Sequence, residues 1–250
     1  MPGPLPENQA ADYLSHRHMK FLRSLFLRLA LGWLLCLFLP GLARADERIW
    51  MTGGEAYRDG YYGYLGALVP LAGSQRWFQR YWLDTNAYHY DSGDTRTEAR
   101  VRGAEAMLGY QRETGARSGA ISLGVRFADT RLSPDDPESE QRGRKLRPKA
   151  QAEGEIPLTQ SWRASGIATY TFGLDAYWTR ARVLHALDDD RFLGPELVAQ
   201  GDPGYRAIRA GFVLGGLRVL PKTFLAVTTG WRWQSGANSP YGGIELFGEF

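Results

Sequence analysis

Cysteine is almost missing from this chain: among 250 residues there is only Cys36, and it lies in the N-terminal segment. Residues 46–250 therefore offer no disulfide framework, no thiolate metal site and no cysteine nucleophile. Histidine is nearly as scarce. Two of the four, His16 and His18, stand before residue 19. Net charge is missing from the main body as well. The formal balance of +3 comes from 30 basic and 27 acidic residues, of which residues 1–45 hold five and two. That leaves 25 of each sign after residue 45, scattered rather than clustered, and argues against a nucleic-acid partner. No stretch after Ala45 is both long and apolar enough for a spanning helix, and no helical period recurs there.

The N-terminus has a different character. Residues 19–45 read MKFLRSLFLRLALGWLLCLFLPGLARA, with Lys20, Arg23 and Arg28 ahead of an uncharged run from Leu29 to Leu39. Ala43-Arg44-Ala45 follows as an A-x-A site, which is the layout of a cleaved secretory signal over 1–45, with Met19 an alternative start. The apolar run falls short of the roughly 20 residues that a span requires. Leu35 before Cys36 does not fit a lipoprotein signal.

What residues 46–250 have is glycine, aromatic rings and alternation. Ile121, Leu123, Val125 and Phe127 fall on one face of a strand, while Ser122, Gly124 and Arg126 fall on the other. Ala150, Ala152, Ile156 and Leu158 oppose Lys149, Gln151, Glu153 and Glu155. Leu225, Val227, Trp231 and Trp233 oppose Ala226, Thr228, Arg232 and Gln234. Period two over nine or ten residues matches a tilted membrane strand better than an ordinary one of about five or six residues. Turn signals cut the chain at eleven places, from Arg58-Asp59-Gly60 to Gln234–Pro240. About twelve strands result, an even number, as bacterial outer-membrane barrels require.

With the N-terminus on the periplasmic side, odd-numbered connections face outward. The one long connection, Arg131–Pro148, is the fifth, which agrees with short inner turns and long outer loops. In that loop Arg142, Arg144, Lys145 and Arg147 stand near Asp135, Asp136, Glu138 and Glu140, which predicts local ion pairs and a loop folded over the barrel mouth. Trp162, Trp231 and Trp233 near strand ends fit interfacial girdles. Phe250, closing an alternating strand, is the mark that outer-membrane assembly machinery reads, although Phe247 interrupts the strict alternation. A soluble periplasmic β-sandwich or closed barrel also alternates. Strand length, parity and girdles together favour an all-β, antiparallel transmembrane β-barrel over 46–250, set in outer-membrane lipid and lipopolysaccharide.

Several segments carry a family resemblance. They are YYGYLGALVPLAGS at 61–74, NAYHYD at 86–91, LGYQ at 108–111, LSPDDPESEQRGRKLRPKAQAE at 132–153, DAYWTRAR at 175–182, FLGPELVAQGDPGYRAIRAGFVLGGLR at 192–218 and YGG at 241–243. In this order they resemble the cellulose biosynthesis protein BcsS family of proteobacteria. RGRKLRP at 142–148 departs from that family's usual Gly- and Trp-containing version. The resemblance implies an outer-membrane barrel that works with bacterial cellulose synthesis, with a β-glucan chain and the cellulose synthase and secretion complex as partners.

His89 and His185 are the histidines available for chemistry, since lipid-modifying barrels use Ser/His/acid sets. His89 stands near Asp91 and Ser92, and an enzyme acting on lipid A or glucan with His89 or His185 as base is the alternative reading; a narrow general pore is another. Neither the acidic loop cluster nor Asp188-Asp189-Asp190 follows the spacing of a calcium loop. No cofactor and no metal site are expected. Mid-strand charge should instead face the lumen, because lipid-facing Arg or Lys costs about 2–4 kcal/mol at the midplane. Alternation then assigns Arg80, Asp84, Asn86, Tyr88 and Tyr90, then Arg126, then Lys149, Gln151, Glu153 and Glu155 to the lumen. Further round come Trp178, Arg180 and Arg182, with Glu196 and Gln200, and then Arg209 and Arg232. Opposite charges there either brace the barrel or, with Tyr88, Tyr90 and Trp178, form a track for sugar rings.

Overall fold

The structure, a computed structural model, describes residues 48–92, 95–234 and 238–250. The signal segment expected over 1–45 lies outside them, as do His16, His18 and Cys36. Twelve strands follow one another: β1 Ile49–Tyr57, β2 Gly60–Pro70, β3 Trp77–Ser92, β4 Thr95–Thr114, β5 Arg117–Ser133 and β6 Gly143–Pro157. The second half continues with β7 Trp162–Thr171, β8 Ala176–Ala186, β9 Phe192–Asp202, β10 Tyr205–Leu220, β11 Thr223–Gln234 and β12 Ser239–Glu249. Each strand pairs antiparallel with the next, and β12 pairs with β1 from Ile49↔Glu249 to Tyr57↔Tyr241, closing the barrel. Closure leaves no strand edge, which is what hydrocarbon demands of every backbone N–H and C=O.

Burial separates the two faces of each strand. Ile121, Leu123, Val125 and Phe127 point outward and are 62%, 66%, 43% and 38% exposed, while Ser122 between them is buried. Polar and charged side chains make up about half of the buried set: Arg80, Asp84, Glu105, Gln151, Arg182, Glu196, Arg209 and Arg232 all lie inside. An apolar exterior around a charged interior reverses the order of a soluble protein and is that of a membrane barrel. Among the described residues no helix is long and apolar enough to cross a membrane.

The breaks fall where turn residues stand, with one difference. The fifth connection is shorter than 131–148: β5 runs on to Ser133, β6 begins at Gly143, and Asp129↔Arg144 to Val125↔Pro148 are paired rows. In RKLRP only Leu146 and Pro148 are apolar and outward, with Arg144 past the rim, too few for a period of two to betray the strand. Pro148 fits because β6 pairs with β7 only from Lys149 onward, so no ladder bond needs its missing N–H. The residual loop is ordered. Arg142 grips Asp135 at 2.6 Å, the Tyr90 hydroxyl donates to Asp136 at 2.9 Å, and the Gln141 amide donates to the Leu174 carbonyl. Arg144 pairs instead with Asp129 within the extended hairpin. Ile49, Glu249 and the even-numbered turns share one end, and this loop shares the other with the remaining odd-numbered turns.

Turn chemistry explains the shortest links. Gly115 supplies a φ of +61° between β4 and β5. In the 187–191 turn the Asp188 carboxylate accepts from the Asp190 and Arg191 amides and from the Arg191 guanidinium, which holds that carboxyl below the usual range. Asp190 takes Arg218 at 2.8 Å, so two members of the acidic triplet are engaged by arginines.

A charge placed on the outer face near mid-strand tests this layout. Leu123→Arg should lower the unfolding free energy in lipid vesicles by about 2–4 kcal/mol. A denaturant titration showing no loss would put position 123 in the lumen instead.

Candidate functional site in the barrel lumen

Three layers of inward side chains fill the lumen. At the end that carries the termini, Leu184, Val213 and Ala226 form a buried apolar cluster with Phe192 packed against it. Phe224 and Phe247 stack at 5.5 Å on the same inner face. Phe247 thus keeps the two-residue period set by Glu245, and what looked like an interruption is an aromatic residue on the inward face.

The middle layer is ionic. Arg126 of β5 meets Asp84 of β3 through two hydrogen bonds of 2.6 and 2.8 Å and also contacts Glu105 of β4, which Lys149 of β6 joins at 2.5 Å. Gly103, opposite Asp84, leaves room for this group; a Cβ there would stand 2.5 Å from the Asp84 carboxylate and 2.6 Å from Arg126. Arg80 reaches Glu153 at 3.6 Å, and Gln151 donates to the same carboxylate. On the far wall Arg182 holds Glu196 at 2.5 Å, and Arg180 and Arg182 both hold Glu245 at 2.8 and 3.2 Å. Glu245 lies on β12 and the two arginines on β8, so this contact spans the lumen rather than one ladder step. Arg209 of β10 likewise crosses to Glu55 of β1 and lies over the Tyr241 ring.

The third layer, toward the long loop, is aromatic. Tyr88 of β3 and Tyr205 of β10 meet with ring centroids 4.6 Å apart, although five strand steps separate them around the barrel. Gln234 of β11 donates to the His89 carbonyl at 2.6 Å, a second contact from wall to wall. Arg232 is 1% exposed; its guanidinium lies 3.9 Å from the Tyr57 ring centroid and donates to Tyr205 and Gln234. Among the described residues its Nε and Nη1 have no hydrogen-bond partner. Above this layer opens a cleft of about 230 Å³ lined by Tyr90, Asp91, Tyr205, Arg206 and Gln234.

The inward assignments are therefore brought together in groups. Arg80, Asp84, Arg126 and Glu153 join one ionic wall, and Arg180, Arg182 and Glu196 the other. Tyr88 and Tyr90 stand at the mouth, and Trp178 lies 5.6 Å beneath the Arg180 guanidinium. Glu155 sits apart, half-exposed beside Arg163. Alternation alone did not single out Glu55, Glu105, Glu245, Tyr57 or Tyr205. Glu105 stands among Gly103, Ala104 and Ala106, whose small side chains mask the period; Glu245, a charge between Ile244 and Leu246, carried a usable signal.

Strand closure, apolar exterior and charged interior define a transmembrane β-barrel. Solved barrels resemble it: an outer-membrane channel from Pseudomonas putida F1 has a TM-score of 0.52 at 12% identity, covering 84% of this chain and 97% of that one. The KdgM porin in complex with disordered oligogalacturonate gives 0.50 at 11% identity, covering 81% and 99%. A deltaS2 mutant of the TodX monoaromatic hydrocarbon channel gives 0.50 at 7%, covering 83% and 91%. At such identities the likeness is one of fold. No curated protein matches the chain. Within this class the chain belongs to the cellulose biosynthesis protein BcsS family, whose model matches residues 49–250. It is a bacterial outer-membrane barrel of cellulose biosynthesis.

Removing one partner from a buried charge group strands the others, at a cost of about 3–5 kcal/mol. Glu245→Gln leaves Arg180 without a carboxylate and Arg182 with Glu196 alone. The expected result is a loss of that size in denaturant unfolding followed by tryptophan fluorescence. A loss near zero would mean that water screens the middle layer.

Proposed function

We propose that this protein is a non-enzymatic outer-membrane barrel that assists cellulose export or surface assembly alongside the synthase and secretion machinery, and that its outer lumen contacts the glucan chain. The observation that carries this reading is the aromatic layer under the mouth. Tyr90 and Tyr205 line the cleft, with Tyr57 and Tyr88 packed just beneath, and Gln200, Gln234, Asp91, Arg206 and Arg232 offer donors and acceptors beside them. A glucose ring needs both, since its axial C–H groups lie flat on aromatics while its hydroxyls donate and accept. Small-molecule sites combine apolar walls and a few placed polar groups in this way. The mouth cleft of about 230 Å³ gives such a ring a place to enter.

Two observations weigh against the other readings. His89 Nδ1 lies 2.9 Å from the Asp59 carbonyl oxygen on the outer side of β3, and His185 packs edge-on against Trp162 at 4.7 Å near the opposite end. A general base needs a nucleophile within hydrogen-bond reach, and these partners are a backbone carbonyl and an indole. Against a general pore stand the contacts that join opposite walls, Tyr88 to Tyr205 and Arg182 to Glu245. Twelve strands enclose a lumen between the filled eight-stranded and the open sixteen-stranded cases, so side chains of this size suffice to fill it.

Tyr88→Ala combined with Trp178→Ala should lower surface cellulose several-fold while heat-modifiable gel mobility and barrel abundance stay normal. Unchanged cellulose at normal abundance would leave both rings as packing only. Loss of the barrel itself would favour the bracing role.

A further inference from the structure

The outer face of β3–β6 carries a feature that the lumen does not explain. Its strand registers define rows. Leu83, Ala104, Phe127 and Leu146 lie side by side and form the upper rim of the apolar belt, with Leu83, Phe127 and Leu146 56%, 38% and 46% exposed. One outward row further toward the long loop stand Thr85, Arg102, Asp129 and Arg144, and in the next Ala87, Arg100 and Arg131. Four arginines thus arrive together where the hydrocarbon ends. All four are exposed.

Local carboxylates meet only two of them. Arg100 takes Glu98 at 2.7 Å, and Arg144 takes Asp129 at 3.4 Å. Arg102 and Arg131 form no ion pair among the described residues. Arg100 stands directly opposite Arg131 in the β4–β5 ladder. Like charges in that relation destabilise a sheet unless an anion lies between them. Successive outward residues are about 6.6 Å apart along a strand, and a tilt near 45° puts these rows about 5 and 9 Å above the apolar rim. That is headgroup depth. Exposed Tyr61, paired with Ala87 in the same row, fits an interfacial girdle residue. Beside it lies a cleft of about 640 Å³ lined in part by Arg131, Arg142, Arg144 and Lys145 together with Asp129 and Asp135.

We propose that this patch is a binding site for the phosphorylated headgroup of lipopolysaccharide, with Arg102, Arg131 and Arg100 holding the phosphates and the acyl chains lying on Leu83, Phe127 and Leu146. Guanidinium groups match phosphate bidentately, and the pairing is strongest where hydrocarbon lies alongside. Because the site faces the lipid, it is independent of any glucan contact in the lumen.

The test uses the full barrel in phosphatidylcholine nanodiscs with a chelator present, so that no divalent cation bridges. Three probes are titrated: lipid A with both phosphates, the same lipid with its phosphates removed, and inorganic phosphate. Lipid A should bind the wild type, phosphate-free lipid should bind at least tenfold more weakly, and inorganic phosphate should not compete at equal concentration. Arg102→Gln with Arg131→Gln, checked for normal heat-modifiable mobility, should weaken lipid A binding about tenfold or more. Equal binding of phosphate-free lipid, or an unchanged affinity in the double variant, would overturn the site. Competition by inorganic phosphate would show an anion site that does not select a lipid. The wild-type comparison of the two lipids decides the matter even if the variant does not assemble.

Discussion

A guanidinium or carboxylate cannot face hydrocarbon without a cost of several kilocalories per mole, and that constraint organises this molecule. The chain after residue 45 has 25 residues of each sign, and its mid-strand charges must turn inward. Once inside they are short of water and must find one another. Asp84, Glu105, Arg126 and Lys149 join across four neighbouring strands, while Glu245 reaches from β12 to Arg180 and Arg182 on β8. The charge network and the closed sheet therefore depend on each other. Register sets which charges meet, and their meeting penalises any slip of register, because a one-residue shift would send every inward arginine to the lipid.

The layering of the lumen follows from the same rule. Apolar residues near the termini close the floor, ion pairs fill the centre, and tyrosines occupy the mouth, where one end of a ring can stay wet. Arg232 is the exception among the inner charges. Among the described residues no carboxylate pairs with it, and the Tyr57 ring and the Tyr205 hydroxyl take the place of one. That places the buried cation with the least compensation directly under the cleft at the mouth. On the proposed function, this layer supplies the rings and hydrogen-bonding groups that a neutral sugar chain requires.

Much of this was legible in the sequence, because period two and mid-strand charge are both direct consequences of a lipid exterior. Leu123 and Ser122, or Phe127 and Arg126, declare their faces by chemistry alone. The reading weakened where the physics ceased to discriminate. Residues 144–148 cross the edge of the lipid, with Leu146 at the rim and Arg144 beyond it, so RKLRP shows no sustained period of two and read as loop although it pairs with β5. Phe247 looked misplaced because an inward aromatic at the floor carries no polar mark. The partners of each inward charge were out of reach altogether. Which carboxylate Arg182 finds depends on barrel closure and on the meeting of β8 with β12, and neither is encoded in any local window. Tyr57 and Tyr205 went unnoticed for the same reason, since their significance arises only when distant strands face each other across the lumen.

The central claim is a filled barrel whose mouth, rather than an open bore, serves cellulose biosynthesis. Single-channel recording of the purified protein in planar bilayers tests it most directly. The account predicts no stable open level in the wild type, with conductance steps emerging only when Tyr88, Tyr205 and Glu245 are truncated together. A steady, ohmic conductance from the wild-type barrel, of the size seen for open porins, would contradict it.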